Sequence, residues 1–458
     1  MPIDDASPLH RSESLARIAA RMQRTGQWSP AQAAGRRWTV GCVSLEITQR
    51  CNLDCSLCYL SDSAEAVRDT PLEELFRRID QIAAQFGANT DVQISGGEPT
   101  LRDRAELAQI VRYVRARGLR ATLFTNGILL SREWLVQLAR DGLNDVAFHV
   151  DMTQGRKGYR CESELRAVRL RYVDMARGLP LSVLFNTTVF PGNLHEVPAL
   201  ADFFVQHSAV VRFASFQLGA DTGRGTDSGR DPAPITQAVV CQAIARGVGV
   251  TLNFDALQAG HRGCNRYAML LSIGAQRFDA LADGAFVARV LRATAHVALP
   301  RDQGTDAAWA LARALLRLPH LWGGFARHAL RMLWQARGQW AAGRLRWPGV
   351  RKISFFTHSF MDACALQAER IDACVFMAAT VDGPMSMCAY NAERDRLLLQ
   401  PIRLANGQTW QPLALAPQSD GSIRFPLKWL KGRSREAAIA QRHAAPGAPR
   451  PAALPVDP

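Results

Sequence analysis

The sequence predicts an α/β fold in which parallel strands alternate with helices, followed by a C-terminal region of different character. Between residues 40 and 220, short apolar runs rich in β-branched residues alternate with helical stretches, the pattern of parallel βα units. The chain has 458 residues and 48% hydrophobic content, which is enough for two or three domains. Residues 221–234, rich in Gly, Asp, Ser and Pro, predict a linker or lid loop at the change of character.

The βα units follow one another in order. Strands are predicted at residues 43–48, 92–95, 121–125, 145–149, 181–189 and 210–218. Helices are predicted between and after them at residues 72–85, 104–117, 132–141, 162–176 and 194–207. Beyond the linker, the pattern predicts a further helix at 235–247 and a strand at 249–254.

Three cysteines, Cys51, Cys55 and Cys58, lie on one loop directly after the first predicted strand. Their thiolates can hold three corners of a [4Fe-4S] cluster, which takes four protein thiolates in most proteins. One iron would then be open to an external ligand. A zinc site is the alternative, although zinc loops usually pair two cysteines with a second distant pair and use four protein ligands.

The second strand ends in Gly96-Gly97-Glu98-Pro99. Glycines let the backbone approach a ligand closely, and the Glu98 carboxylate can accept hydrogen bonds from an ammonium group. With the Cys-x3-Cys-x2-Cys spacing one strand earlier, this turn resembles the second signature of the radical S-adenosylmethionine (radical SAM) superfamily. The resemblance implies that the amino and carboxylate groups of S-adenosylmethionine fill the open iron position. It also implies that residues 96–99 receive the cofactor's amino group.

The resemblance further implies a partial (β/α)6 TIM-like barrel with cofactor-binding groups at the strand C-termini. Asn126 and Asp151 are the polar strand-end residues we expect to bind the cofactor; Thr125, His149, Asn186 and Thr188 lie at similar positions. Buried polar residues at strand ends can instead satisfy neighbouring backbone groups, and this alternative stays open.

A second cysteine set lies in the C-terminal region. Cys364, Cys374 and Cys388 fall within residues 358–391, and Cys264 precedes Asn265 further upstream. These four thiolates could complete an auxiliary [4Fe-4S] cluster, with a four-cysteine zinc site as the alternative. The remaining cysteines, Cys42, Cys161 and Cys241, are predicted to be small apolar residues of the interior.

The segments around this second set resemble a branch of the superfamily that includes archaeal tetraether lipid synthases and bacterial relatives. Archaeal members carry additional cysteine-rich segments near the N-terminus, whereas residues 1–38 here contain no cysteine. At most two clusters follow, and the lipid-coupling activity does not transfer.

Residues 306–347 form an Arg/Trp-rich segment, predicted to be helical, with no acidic residue between Asp306 and Asp362. Its arginines include Arg313, Arg317, Arg327, Arg331, Arg337 and Arg344, and its tryptophans are Trp309, Trp322, Trp334, Trp340 and Trp347. A basic helix with tryptophans on its apolar side is typical of an interfacial membrane helix. Alternatively, the tryptophans pack on the barrel and the arginines are solvated.

The formal charge of +14 is compatible with nucleic acid, an anionic membrane surface or acidic electron donors such as flavodoxin and ferredoxin, or reflects an arginine-rich composition alone. Nothing resembles an RNA-binding module, so no nucleic acid is expected. No apolar run long enough for a membrane span and no secretory signal is found, which predicts a cytoplasmic protein. In that compartment cysteines serve metal binding or catalysis, not disulfides.

The predicted domains are an N-terminal helical extension (1–38), the barrel (39–220), a C-terminal region (221–400), a further segment (401–440) and a disordered tail (441–458). The predicted reaction is reductive cleavage of S-adenosylmethionine to a 5′-deoxyadenosyl radical, which abstracts hydrogen from a lipid-like substrate. A small-molecule substrate is also compatible. The alternatives are a peptide- or protein-modifying enzyme with an auxiliary cluster, or a non-catalytic iron–sulfur redox protein.

Overall fold

The computed structural model describes residues 40–61, 64–223, 235–294, 297, 304–341 and 350–413. The predicted N-terminal extension and C-terminal tail lie outside these residues, as do most of the predicted linker and of segment 401–440.

Six parallel βα units form the centre of the molecule, as predicted. Their strands, paired in chain order, are β1 (Cys42–Thr48), β2 (Asp91–Gly96), β3 (Arg120–Thr125), β4 (Asp145–His149), β5 (Ser182–Val189) and β6 (Val211–Leu218). The first five strands are each followed by a helix, in order α1 (Leu72–Phe86), α2 (Arg104–Ala116), α3 (Arg132–Arg140), α4 (Arg166–Ala176) and α5 (Val197–Gln206). The α/β class and the partial barrel predicted from the sequence are therefore confirmed.

The C-terminal region extends this sheet at both edges with five strands, to 11 among the described residues, and adds a separate two-stranded sheet formed by its last two strands. Its helices are α6 (Gln237–Val248), α7 (Gly284–Ala293), α8 (Gly304–Leu316), α9 (Trp322–Ala341), α10 (Ala368–Asp372), α11 (Met387–Ala392) and α12 (Arg394–Leu398). Its strands are β7 (Asn265–Ile273), β8 (Gln276–Asp279), β9 (Val350–Ser359), β10 (Phe376–Thr380), β11 (Gly383–Ser386), β12 (Ile402–Arg403) and β13 (Thr409–Trp410). β10 pairs parallel to β1, and β9 pairs parallel to β6.

Contacts between the two added parallel strands close the gap that a partial barrel leaves. The Phe376 ring on β10 lies 5.9 Å from the Phe356 ring and 4.4 Å from the His358 ring, centroid to centroid. Phe356 and His358 belong to β9, at the opposite edge of the six central strands. The C-terminal region therefore supplies the side wall of the barrel.

Side chains alternate between the two faces of each barrel strand. On β4, the Phe148 ring stacks on Tyr172 of α4 with centroids 4.6 Å apart, which places Phe148 on the helix-covered face. His149 therefore lies on the opposite face, where it pairs in register with Asn186 of β5. The interior of the barrel thus carries polar groups near the strand ends.

The strand predicted at residues 249–254 is wrong. Helix α6 ends at Val248 and is capped by Gly249, whose φ of 69° is left-handed, and the following residues form a loop. The Asn253 amide donates to Asp279 Oδ2 at 2.8 Å, while Leu252 and Phe254 are buried. The apolar alternation in this stretch reflects burial of a loop against the core, not strand pairing.

The Arg/Trp-rich segment is helical where it is described, as predicted. Helix α9 packs inward through Phe325, whose ring lies 5.0 Å from the Phe286 ring of α7. Its outer side exposes Trp322 and Trp334, at 51% and 64%, and Trp309 of α8 is 66% exposed. The alternative that the tryptophans pack on the barrel is therefore wrong for these three residues. Arg344 and Trp347 lie outside the described residues.

Within the described ranges, no helix combines the length and the apolar character needed to cross a lipid bilayer.

Candidate cofactor and metal site

The three-cysteine loop leaves β1 and is anchored to the ends of two other strands. The Ser56 amide donates to the Thr153 carbonyl, just beyond β4, at 2.8 Å, and the Tyr59 hydroxyl donates to the Gly96 carbonyl at the end of β2 at 2.7 Å. Cys51 is buried, whereas Cys55 and Cys58 are partly exposed. The loop thus lies at the C-terminal end of the barrel, where the sequence predicts it.

Three thiols on one loop are the soft donor set that iron–sulfur clusters use, so these residues fit such a cluster chemically. As they stand, no three Cys, His, Asp or Glu side chains of the described residues are gathered closely enough to hold a metal ion. The assignment of Cys51, Cys55 and Cys58 as ligands stays a prediction.

The Gly96–Gly97 pair packs against the backbone that leads into the cysteine loop. The Gly97 amide donates to the Thr48 carbonyl at 2.9 Å, and the Glu98 amide donates to the Arg50 carbonyl at 2.8 Å. A Cβ atom on Gly97 would lie 2.2 Å from the Arg50 carbonyl oxygen. The close approach that requires glycine here is therefore to the protein itself, and it fixes the turn beside the cysteines.

Glu98 is 1% exposed, and its carboxylate is engaged by donors of the protein. It accepts from the Thr125 hydroxyl at 2.6 Å and from the Asn126 amide at 2.7 Å. It also accepts from the hydroxyl and the amide of Thr100. Glu98 thus ties the end of β2 to the end of β3, and its contact with a cofactor ammonium stays a prediction, as do those of Gly96, Gly97 and Pro99.

Asn126 links β3 to the cysteine loop. Its side-chain amide donates to Asn52 Oδ1 at 2.6 Å, and Asn52 directly follows Cys51. Its backbone carbonyl accepts from Arg156 at 2.6 Å and from the Tyr172 hydroxyl at 3.0 Å. Asn126 therefore lies at the predicted site, with a role in positioning the loop.

Asp151 is fully buried and pairs with His149, whose Nε2 lies 2.6 Å from Asp151 Oδ2. Burial opposes ionisation of Asp151, but His149 and the donors Thr153 and Thr188 outweigh it and hold the pKa of this carboxyl well below its usual range. The His149 side chain is 26% exposed on the inner face of the barrel. Of the two, His149 is therefore the group that a bound molecule can reach.

A buried network that the sequence did not predict connects the cysteine loop to the C-terminal helices. Arg394 of α12 donates to both carboxylate oxygens of Glu46 on β1, at 2.8 and 2.9 Å. The Tyr390 hydroxyl donates to the same carboxylate at 2.9 Å. The Arg394 guanidinium lies 4.5 Å from the ring centroid of Tyr59, the residue after Cys58. No local signal could reveal this contact, because Glu46 and Arg394 are 348 positions apart.

Three of the four cysteines in the second set, Cys264, Cys374 and Cys388, lie near enough to one another for their thiols to interact electrostatically, although they are not gathered as a metal-ion site. Cys264 and Cys388 are buried and Cys374 is partly buried, whereas Cys364 is exposed. Burial, together with the nearby Cys374 and Cys264 thiols, raises the pKa of the Cys388 thiol to about 12. Arg370 Nε donates to Cys264 Sγ at 3.1 Å. The remaining cysteines behave as predicted at Cys42 and Cys241, which are buried, while Cys161 is partly exposed.

The barrel carries a three-cysteine loop after its first strand and a Gly-Gly-Glu-Pro turn after its second. This combination defines a class of proteins that bind a cluster and depend on a cofactor. Residues 45–204 match the family model of the radical SAM superfamily. The chain therefore carries a radical SAM domain, and the resemblance predicted from the two motifs is confirmed over these residues. A [4Fe-4S] cluster and S-adenosylmethionine are the cofactors of this domain.

Similarity to individual proteins is confined to part of the chain. The Fe-coproporphyrin III synthase of Methanosarcina barkeri is 30% identical over 186 residues, which cover 40% of this chain and 45% of that protein. The PqqA peptide cyclase of Xanthomonas axonopodis pv. citri is 33% identical over 163 residues, covering 34% and 42% of the two chains. The chain thus spans less than half the length of these relatives. Among solved structures, Streptococcus suis SuiB bound to S-adenosylmethionine matches with a TM-score of 0.35 at 15% identity, covering 53% of each chain.

Proposed function

We propose that this protein is a radical SAM enzyme in which Cys51, Cys55 and Cys58 hold the [4Fe-4S] cluster. The observation that carries the proposal is the attachment of the cysteine loop to the Gly96–Glu98 turn, through paired backbone hydrogen bonds and the Tyr59 hydroxyl. When bound, the cluster and S-adenosylmethionine supply a 5′-deoxyadenosyl radical after reduction by an external donor, with reduced flavodoxin or ferredoxin as the donor.

The residues of the chain position and enclose these groups. Glu98 and Asn126 keep the ends of β2 and β3 against the loop, so that the cofactor's amino acid portion can lie between the turn and the cysteines. His149 projects into the barrel from β4 and is held by Asp151. The contact between β9 and β10 keeps solvent away from one side of the barrel, which protects a reactive radical.

Anaerobic reconstitution followed by an assay for 5′-deoxyadenosine tests this function. With dithionite and S-adenosylmethionine, the protein should release 5′-deoxyadenosine, and Cys58→Ala should abolish the release. Cys161→Ala is the matched control, because Cys161 is partly exposed and lies outside both cysteine sets. Bound iron without any 5′-deoxyadenosine would instead favour a non-catalytic iron–sulfur protein.

We propose further that the second cysteine set binds its own metal group, an auxiliary [4Fe-4S] cluster. The electrostatic effects of Cys264, Cys374 and Cys388 on one another support this proposal. Cys364, the fourth thiolate that the sequence predicts, is exposed. About eight irons per chain would indicate two clusters and about four would indicate one. Cys388→Ala should lower iron by about half. Unchanged iron together with lost zinc would instead assign a zinc site.

For the substrate, we propose a hydrophobic molecule met at the cytoplasmic face of an anionic membrane. Six of the 11 large hydrophobic residues exposed in the described part of the chain lie between Trp309 and Trp334. Leu330 is 65% and Trp334 64% exposed, and the Arg337 guanidinium lies 3.9 Å from the Trp334 ring centroid. Exposed apolar side chains beside arginines suit a surface of anionic lipid headgroups.

Co-sedimentation with vesicles tests the membrane contact. Vesicles that contain phosphatidylglycerol should bind the protein, and replacing Trp322, Arg331 and Trp334 by Ala should remove that binding. Val239→Ala is the matched control, because Val239 is an exposed apolar residue on α6, away from this segment. Absence of vesicle binding by the unaltered protein would contradict the contact.

A peptide substrate is the second candidate, and the similarity to PqqA peptide cyclase favours it. Stimulation of 5′-deoxyadenosine release by a peptide encoded beside the gene, and not by lipid extract, would select this candidate over the hydrophobic one.

A further inference from the structure

We propose that His358 is the nitrogen ligand that completes the second metal site, with Cys264, Cys374 and Cys388 as its thiolate ligands. The inference rests on the proposed metal binding by the second cysteine set, and it is independent of the radical chemistry at the first set.

The segment that contains His358 touches all three cysteines or their immediate neighbours. The Ser359 amide donates to the Cys264 carbonyl at 2.8 Å, and the Met361 amide donates to Cys388 Sγ at 3.4 Å. The Phe376 carbonyl accepts from Cys374 Sγ at 3.0 Å. The His358 ring packs on the Phe376 ring, with centroids 4.4 Å apart. The backbone that carries His358 therefore runs beside Cys264 and Cys388, and its ring packs on the residue whose carbonyl accepts from Cys374, at the junction of β7, β9 and β10.

The hydrogen bonds around Asn265 determine which nitrogen of His358 carries the proton. The Asn265 side-chain amide donates to the Ala259 carbonyl at 2.8 Å, so the Asn265 Oδ1 atom is the one that faces His358 Nδ1. Because Oδ1 can only accept, Nδ1 must be the protonated nitrogen. Nε2 is then left with a free lone pair, the form in which a neutral imidazole binds a metal ion.

This Nε2 atom has no hydrogen-bond partner among the described residues, although the His358 side chain is buried, with 6% of the residue exposed. A buried acceptor without a donor is uncommon in native proteins and calls for an explanation. Histidine ligands commonly donate the other ring N–H to an oxygen acceptor, which fixes the ring. The Nδ1–Asn265 hydrogen bond has that form, so the unpartnered Nε2 is accounted for by a metal ligand role.

Arg370 contacts one cysteine of this site, whereas Cys364 is exposed. Arg370 donates to Cys264 Sγ at 3.1 Å and to the Ser359 carbonyl at 2.8 Å, so it holds Cys264 against the segment that carries His358. Cys364, the fourth ligand predicted from the sequence, is exposed. A set of three cysteines and one histidine suits zinc, and it also suits an iron–sulfur cluster with one nitrogen ligand.

The test uses full-length protein in which Cys51, Cys55 and Cys58 are all replaced by Ala, so that only the second site can bind metal. Iron and zinc are counted first. If iron is bound, pulsed electron paramagnetic resonance of the reduced protein, with and without 15N-histidine, detects a nitrogen ligand. If zinc is bound, X-ray absorption distinguishes three sulfurs and one nitrogen from four sulfurs, because Zn–N distances are about 2.0–2.1 Å and Zn–S distances about 2.3 Å.

We expect a histidine nitrogen signal in this protein. His358→Asn, which keeps a donor toward Asn265 but removes Nε2, should eliminate the signal and lower bound metal by about twofold or more. Cys364→Ser is the matched variant and should leave both unchanged. Bound metal without a nitrogen signal, or loss of metal in Cys364→Ser with none in His358→Asn, would overturn the assignment. No metal at all would also overturn it, while 5′-deoxyadenosine release by the unaltered protein would still report separately on the first site.

Discussion

Arg394 and Glu46 form a buried ion pair that joins α12 to the first strand of the barrel, with Arg394 Nη1 donating to both carboxylate oxygens. Their side chains are 3% and 4% exposed, and the guanidinium lies between the Tyr59 and Tyr390 rings at 4.5 and 4.6 Å from their centroids. The same arginine therefore contacts a strand of the barrel, the residue that follows Cys58, and the helix that carries Cys388. The two cysteine sets are linked through one side chain.

Arg394→Ala should destabilise the protein strongly, because it leaves the Glu46 carboxylate buried without its partner. Loss of one member of a buried ion pair costs about 3–5 kcal/mol. Chemical denaturation under anaerobic conditions measures this cost. Arg396→Ala is the matched control, since Arg396 pairs with Glu393 at the surface with 47% of its side chain exposed, and such pairs contribute about 0–1 kcal/mol. Equal effects of the two substitutions would contradict a structural role for the buried pair.

Tyr59→Phe should weaken S-adenosylmethionine cleavage while iron remains bound. The substitution keeps the ring on Arg394 but removes the hydrogen bond to the Gly96 carbonyl, which holds the cysteine loop against the turn. One such bond contributes about 0.5–1.5 kcal/mol, so the rate of 5′-deoxyadenosine release should fall by about tenfold or less. Tyr113→Phe, which removes a hydroxyl bonded to Asp80 on the outer helices, should leave the rate unchanged. An unaltered rate of 5′-deoxyadenosine release in Tyr59→Phe would show that this hydroxyl does not help to position the cofactor.

Gly97→Ala should disrupt the turn that packs against the cysteine loop. The added Cβ would meet the Arg50 carbonyl oxygen at 2.2 Å, so the turn must move away from the backbone that precedes Cys51. Overpacking of this kind costs about 1–3 kcal/mol, and both bound iron and cofactor affinity should fall. Gly323→Ala on α9 is the control, because a Cβ there meets nothing within 4 Å. Iron analysis and equilibrium binding of S-adenosylmethionine measure the difference, and full retention of both would contradict the close packing described.

The buried Asp151 carboxylate should make stability depend on acidity. Because its pKa in the folded protein is held below the ordinary value, Asp151 stabilises the fold above the unfolded-state pKa of about 3.9. This contribution is lost as the pH falls from about 4 toward the folded-state pKa. Unfolding free energies measured from about pH 5 to about pH 2.5 should therefore decline, and Asp151→Asn should flatten the decline. Asp174→Asn, at a carboxylate that is 65% exposed, should leave the profile unchanged.

The six central βα units could be predicted because each rests on local information, such as the apolar run of β4 and the amphipathic helix α2. The strand pairings of β9 and β10 could not, because they depend on edges created by the barrel itself. The placement of Asn126 and Asp151 at the strand ends was predictable for the same local reason. The hydrogen-bond partners of the site residues could not be predicted. Asp151 is bonded to His149 two residues away, and Glu98 accepts hydrogen bonds from Thr125 and Asn126 at the end of the next strand.

The misplaced strand at residues 249–254 has a related cause. Periodicity records which side chains are buried, and Leu252 and Phe254 are buried in a loop as completely as they would be in a sheet. Likewise, cysteine spacing singled out Cys364 but could not detect His358, whose burial and unpartnered nitrogen depend on residues drawn from β7, β9 and β10.

The strands that flank the barrel have a practical consequence for anyone who wishes to isolate the radical SAM portion. β1 and β6 would both become open edges if the chain were cut after Leu218, because β10 and β9 come from beyond that point. Unprotected edges of this kind recruit other chains and promote aggregation. A fragment spanning only the region of family similarity would therefore be a poor surrogate for the whole, and crystallisation or spectroscopy should begin from the chain that retains residues 350–380.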